Sequence, residues 1–128
     1  MKNLKNIGEF GLITRITKNF NQQLGNTILP LGDDCAVYSG SASKYQIVST
    51  DALVENIHFK FSTISPEQLG QKAIAVNISD IAAMGGIPTR VLITLGVSKT
   101  VSTSFLKKLY NGIHKTCTLY DIELIGGD

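Results

Sequence analysis

The chain has 128 residues, a length that suits one domain. Its apolar fraction of 43% and charged fraction of 17% are typical of a protein with a packed core and argue against disorder. The net charge of +2 is too small to indicate a nucleic-acid partner, and no apolar run approaches the roughly 20 residues of a membrane span. We therefore expect a globular domain that binds neither nucleic acid nor membrane.

The two cysteines, Cys35 and Cys117, lie far apart, and no apolar segment of a secretory signal follows the polar first residues. These features predict reduced thiols in a cytoplasmic protein. Cys35 adjoins an acidic pair, and we interpret it as a small buried packing residue rather than as a nucleophile.

In chain order, the first half contains one helix and several strands. A helix is predicted over 9–17, because Phe10, Ile13 and Ile16 fall on one stripe that would pack on the core. A loop rich in Asn and Gln is predicted over 21–26. Strand-like runs follow at 28–31, 35–38 and 45–49, the last two joined by a Ser/Gly turn.

The second half contains two long helices. Ser65 and Gln68 form a capping box, with Pro66 at the first helical position, so a helix is predicted from there to about Met84. The run 90–97 is almost continuously apolar, which indicates a strand whose two faces are both covered, or one that packs against a partner subunit.

A helix over 104–119 and a strand over 122–125 complete the chain. Helices and strands alternate, which predicts an α/β or α+β domain with a mixed β-sheet flanked by two long helices.

The stretch 75–86 is small and apolar, which suits a buried helix packed on a sheet, yet it carries Asp80. No Lys or Arg lies three or four residues away on either side. A carboxylate in such a place needs a partner from elsewhere in the chain, or a proton. Asp80 is therefore either an exposed residue on the wet face of the helix or a metal ligand.

Other carboxylates stand where strand-like runs or glycine turns end. Strand ends and glycine turns are where α/β proteins hold ligands, and hard cations such as Mg²⁺ take oxygen ligands that they often share with phosphates. The set therefore indicates a metal–phosphate site, and Ser49 and Thr50 could reach the same cation. The acidic members of this set are Asp33, Asp34, Asp51, Asp80 and Asp128.

Several other kinds of site are excluded by the sequence. It contains no phosphate-binding loop ending in Lys-Ser/Thr, no dinucleotide glycine fingerprint, no kinase-type catalytic loop and no Cys/His zinc spacing. No serine triad can be argued and no catalytic residue is assigned. His58 lies between Ile57 and Phe59, where it is either a structural histidine with its hydrogen bonds satisfied or a ligand-binding one.

Five segments in register resemble the thiamine-monophosphate kinase family, at 8–10, 31–37, 49–59, 72–85 and 124–128. This resemblance implies that residues 1–128 are the N-terminal Mg/ATP-binding domain of a longer protein whose C-terminal domain is absent from this chain. It also implies the fold of the aminoimidazole-ribonucleotide synthetase superfamily, in which N-terminal sheets pair across the two-fold axis of a homodimer.

The resemblance further implies ATP-dependent phosphorylation of thiamine monophosphate to thiamine diphosphate, with several Mg²⁺ ions. The implied Mg²⁺ ligands are Asp34, Ser49, Thr50, Asp51, Asp80 and Asp128, with Asp33 in a supporting position. The implied nucleotide contacts are Gly127, Asp128 and Tyr110, and the implied substrate contact is His58. We expect that this chain alone does not catalyse turnover.

Two alternatives stay open. One is another ATP-dependent synthetase of the same superfamily, of the selenophosphate, purine-pathway or hydrogenase-maturation type. No cysteine precedes Cys35, which counts against a selenophosphate synthetase. The other is a non-catalytic module for nucleotide binding or dimerisation.

Overall fold

The computed structural model of the protein describes residues 7–20 and 25–128. The predicted α/β class is confirmed, and the predicted loop over 21–26 falls largely outside the described residues. In chain order the described elements are α1 (Glu9–Ile16), β1 (Thr27–Leu29), β2 (Ala36–Ser39), β3 (Tyr45–Val48), α2 (Pro66–Ala83), β4 (Arg90–Ile93), α3 (Thr103–Leu119) and β5 (Glu123–Gly127).

The described strands form two sheets instead of the one mixed sheet that was expected. Strands β1, β2 and β3 form an antiparallel sheet in that order, and β4 pairs with β5 in parallel. Alternation of apolar and polar residues predicts a strand but not the strand with which it pairs. The sequence pattern therefore could not predict that the strands divide into two sheets.

Helix α2 begins and ends where its local signals predict. The Ser65 amide donates to Oε1 of Gln68 at 2.9 Å, and the Gln68 amide donates to Oγ of Ser65 at 3.2 Å, which completes the capping box. At the other end the chain turns at Gly85, whose φ of 69° lies in the left-handed region. None of the described helices has the length and apolarity that a membrane span requires.

The core lies between α2 and α3, which approach each other closely at two glycines. A Cβ on Gly70 would overlap the backbone of Leu109, and a Cβ on Gly112 would overlap the backbone of Glu67. The buried side chains around this contact are Leu69, Ile74, Leu109, Ile113 and Cys117. Helix α2 was expected to pack on a sheet, but its closest partner is α3, because the small residues at the crossing let the two backbones meet.

Two further expectations need correction. No residue of α1 is buried, and Phe10 is 81% exposed, so the stripe of α1 does not pack on the core of this chain. Strand β4 ends at Ile93 and not at Val97, and Ile93 pairs with Gly127, the last residue of β5. Val91 and Ile93 face the core, whereas Leu92 is 68% exposed, so only one face of β4 is covered.

Candidate metal and nucleotide site

The end of the β2–β3 hairpin brings two predicted ligand segments together. Ala36 pairs with Val48, so the residues just outside this pair, Cys35 and Ser49, lie across from each other. Asp34 precedes Cys35, and Thr50 follows Ser49. The antiparallel register therefore places the acidic turn and the hydroxyl-rich strand end at the same edge of the sheet.

Helix α2 adds Asp80 to this edge. The hydroxyl of Ser49 donates a hydrogen bond of 2.8 Å to Oδ2 of Asp80, across 31 residues of sequence. Both residues are half-buried. The partner that the sequence required for Asp80 is therefore Ser49, and a hydroxyl bonded to a carboxylate is among the stronger hydrogen bonds in proteins.

Cys35 lies directly behind this pair and is only 3% exposed, which confirms that it is a buried residue. Burial raises the pKa of the Cys35 thiol, and a hydrogen bond between the Cys35 and Ser49 side chains opposes that rise. The nearby carboxylates of Asp80, Asp34 and Asp33 raise the pKa further. Three of the predicted acidic residues thus lie close enough to the Cys35 thiol to disfavour its thiolate form.

Two exposed carboxylates of the set are oriented by their own backbone. The amide of Asp34 donates to Oδ1 of Asp33 at 2.9 Å, and the amide of Ala52 donates to Oδ1 of Asp51 at 2.7 Å. In each case one carboxylate oxygen is used, and the other keeps its lone pairs for a ligand.

The end of β5 holds Gly127 and Asp128 against β4. The Asp128 amide donates to the Ile93 carbonyl at 2.9 Å, and the Leu95 amide donates to the Asp128 carbonyl at 2.6 Å. Gly127 has a φ of 146°, and a Cβ there would overlap the backbone of Ile93. Only glycine therefore allows this close approach, which directs Asp128 to the end of the parallel pair.

Tyr110 lies on α3 and lines a cavity of about 610 Å³. The same cavity is bordered by His114, Asp121 and Leu124, and Leu124 belongs to β5. The cavity therefore reaches β5 at Leu124, and neither Gly127 nor Asp128 lines it.

His58 is exposed and lies in a loop before α2. The Val54 amide donates to its Nδ1 at 2.9 Å, so one ring nitrogen has a structural partner, and within residues 7–20 and 25–128 no hydrogen bond uses Nε2. Sequence reasoning missed Lys72, whose Nζ donates to the His58 carbonyl at 2.6 Å. A single lysine on a helix gives no sequence signal that would distinguish it from an ordinary surface residue.

The donors of this site suit a hard cation, since carboxylates and hydroxyls offer oxygen alone. The structure brings Asp33, Asp34, Ser49 and Asp80 together. Among the described residues, however, no group of three or more His, Cys, Asp or Glu side chains is arranged so that it could hold a metal ion. No hydrogen bond in residues 7–20 and 25–128 joins the side chains of Asp128, Tyr110 or His58 to this group.

Comparison with known proteins identifies the family to which this chain belongs. The family described as AIR synthase related protein, N-terminal domain, matches residues 32–128. Thiamine-monophosphate kinase of Bacillus subtilis (strain 168) is 44% identical over 120 residues, which cover 94% of this chain and 37% of that protein. The Aquifex aeolicus (strain VF5) enzyme of the same name is 39% identical over 125 residues, covering 98% of this chain and 38% of that protein.

A solved structure described as AaThiL complexed with AMPPCP and TMP has the same fold, with a TM-score of 0.86 at 37% identity. The match covers 99% of this chain and 38% of that one. The chain thus spans little more than a third of the length of the proteins it matches. Since the family match covers most of its residues, the chain belongs to the AIR synthase related proteins, of which it carries the N-terminal domain.

Proposed function

We propose that this chain is the Mg²⁺- and ATP-binding part of a kinase that transfers the γ-phosphoryl group of ATP to thiamine monophosphate, forming thiamine diphosphate. The observation that carries the proposal is the hydrogen bond from Ser49 to Asp80, which joins the end of β3 to α2 beside two further carboxylates. The likeness to enzymes named thiamine-monophosphate kinase over nearly the whole chain supports the choice of substrate.

The metal would be held by the oxygen donors at the strand ends. Bound Mg²⁺ neutralises phosphate charge and orients the nucleotide, so that little covalent chemistry is asked of the protein. The residues proposed to hold it are Asp34, Ser49, Thr50, Asp51, Asp80 and Asp128.

The chain's own groups orient these donors. Ser49 occupies Oδ2 of Asp80, which leaves Oδ1 for a cation. Asp33 accepts from the amide of Asp34 and so sets the direction in which the Asp34 side chain leaves the backbone. Such preorganisation matters because phosphoryl transfer depends on positioning and on charge stabilisation.

The nucleotide is proposed to lie along β5. Gly127 is exposed, and the Tyr110 ring lines a cavity of about 610 Å³, within the range of small-molecule sites. A nucleotide as ligand is supported by the similar protein AaThiL, whose solved structure is described as a complex with AMPPCP, an ATP analogue with carbon between its β- and γ-phosphorus atoms. His58 is proposed to contact thiamine monophosphate through its available Nε2.

We further propose a cytoplasmic homodimer. Apolar side chains are exposed on both strands of the parallel pair, with Leu92 at 68% and Ile125 at 50%. Two copies that pair their sheets would remove these side chains from water, and burial of apolar surface is the main driving force of such association.

The test uses the protein expressed from its complete gene. Incubation with ATP, Mg²⁺ and thiamine monophosphate should yield thiamine diphosphate, and EDTA should abolish the product. Release of ADP with a different acceptor would instead indicate that the protein is another ATP-dependent synthetase of the same superfamily. If the protein binds nucleotide in the presence of Mg²⁺ but turns over no acceptor, it is a non-catalytic nucleotide-binding module.

A further inference from the structure

Residues 54–59 form a tight loop in front of α2. The amides of His58 and Ile57 donate to the Val54 carbonyl at 2.9 and 3.2 Å, and the Asn56 amide donates to the Phe59 carbonyl at 2.7 Å. Asn56 has a φ of 64°, a left-handed conformation that asparagine tolerates better than most residues. The backbone of this loop therefore has one well-defined path.

The same loop sets the protonation pattern of the His58 ring. The Val54 amide is a donor, so the Nδ1 atom that it contacts at 2.9 Å must accept. In the neutral imidazole the proton then resides on Nε2. His58 is exposed, and it therefore presents an N–H donor, and not an acceptor, to a ligand.

Lys72 anchors this loop to the body of the domain. Its Nζ reaches back 14 residues from α2 and donates to the His58 carbonyl at 2.6 Å. Phe59, next to this carbonyl, packs against the core, and so does Leu53 on the other side of the loop. The two ends of the loop are thus held by apolar packing, and the charged hydrogen bond from Lys72 holds the residue that carries the functional ring.

We propose that Lys72 is a positioning residue, which fixes the loop so that His58 offers its Nε2–H to a phosphate oxygen of the substrate. A neutral donor beside a lysine ammonium suits an anionic acceptor, whereas an unprotonated ring nitrogen would repel it. This inference rests on the proposed function in one respect, namely that His58 contacts thiamine monophosphate.

The first experiment needs no substrate. The chain contains two histidines, so a His114→Asn background leaves the His58 ring as the single imidazole in a ¹⁵N NMR spectrum. At a pH where the ring is neutral we expect Nδ1 without a proton and Nε2 with one. Lys72→Met should weaken this preference and raise amide exchange of Asn56 and His58 by about 10- to 100-fold, the range for losing a hydrogen bond to a charged group.

Two matched variants separate positioning from general stability. Lys72→Arg keeps a charged donor and should restore the wild-type spectrum and exchange rates. Lys115→Met removes a different lysine of the helix pair, one that bonds to Glu67, and should leave the His58 signals unchanged. A proton on Nδ1 in the wild type, or a Lys72→Met spectrum and exchange rates identical to the wild type, would overturn the inference.

The second experiment uses the protein from its complete gene. Lys72→Met should raise KM for thiamine monophosphate by about tenfold, the effect of one weakened hydrogen bond, with KM for ATP unchanged. An unchanged KM for thiamine monophosphate would refute the role of Lys72. A wild-type protein without kinase activity would refute the proposed function, while the NMR result would still decide whether Lys72 orients His58.

Discussion

Replacing Gly112 by alanine tests the close approach on which the core depends. A Cβ at this position would stand 2.8 Å from the carbonyl carbon of Glu67 and would overlap the carbonyl oxygen. Ordinary van der Waals contact begins at 3.4 Å, so α2 and α3 must separate by more than half an ångström for the carbon alone. The obstacle is backbone, so no side chain can rotate to relieve it.

The cost of this separation can be set against the gain in helix propensity. Overpacking a well-packed interior costs about 1–3 kcal/mol and occasionally more. The upper end applies here, because the overlap is with backbone and a gap of about 0.5–1 Å removes a quarter to a half of the dispersion attraction across the interface. Alanine is favoured over glycine within a helix by about 1 kcal/mol. Since the carbonyl oxygen of Glu67 overlaps the new Cβ more than the carbon does, we expect a net loss of at least about 2 kcal/mol in the free energy of unfolding.

Urea unfolding followed by far-ultraviolet circular dichroism measures this loss. Gly96→Ala is the matched control, because a Cβ there meets nothing within 4 Å, and its unfolding free energy should change by less than about 0.5 kcal/mol. A Gly112→Ala protein as stable as the Gly96→Ala protein would refute the idea that backbone contact sets the spacing of α2 and α3.

Three further changes test other parts of the molecule. Asp80→Asn should abolish Mg²⁺-dependent nucleotide binding in titration calorimetry while the unfolding transition persists, because the amide keeps the shape of the side chain but not its charge. Leu92→Lys should turn a dimer into a monomer by light scattering, because it places a charge on the apolar face of β4. Burial raises the pKa of the Cys117 thiol, so the unfolded chain loses its proton first and the unfolding free energy should fall as the pH rises above about 8.5. Cys117→Ala should make that fall shallower in urea titrations.

Each of these three has an outcome that contradicts it. Nucleotide affinity that Asp80→Asn leaves unaltered would remove Asp80 from the ligand set. A wild-type chain that is already monomeric at micromolar concentration would count against sheet pairing. An identical pH dependence in the wild type and Cys117→Ala would mean that the thiol does not titrate differently in the folded and unfolded chains.

Much of the local structure could be predicted because its causes are local. The capping box at Ser65 and the glycine turn at Gly85 act within a few residues of the helix ends that they determine. The helix over 104–119 was also predictable from its sequence, since Leu109 and Ile113 recur at helical spacing, and both are buried in α3.

What could not be predicted depends on residues far apart in the chain. Strand β4 pairs with β5, about 30 residues later in the chain, and the crossing of the two long helices is set by Gly70 meeting the backbone of α3. For the site, the carboxylate of Asp80 predicted that a partner was needed, but no local pattern identifies Ser49, 31 residues earlier, as that partner. The Mg²⁺ ligands, the nucleotide contacts and the role of His58 stay predictions that the experiments above decide.

One helix carries both Lys72, which holds the His58 carbonyl, and Asp80, which holds the Ser49 hydroxyl. Asp80 follows Lys72 by eight positions of α-helix, a span of about 12 Å that is nearly inextensible. The separation between Lys72, which holds the loop of the proposed substrate contact, and the proposed metal ligand Asp80 is therefore fixed by the number of helical residues between them. Inserting one residue between them would lengthen the span by only about 1.5 Å but would turn Asp80 by about 100° away from Ser49. The number of residues between Lys72 and Asp80 is thus as much a requirement of the proposed site as the identity of the two side chains.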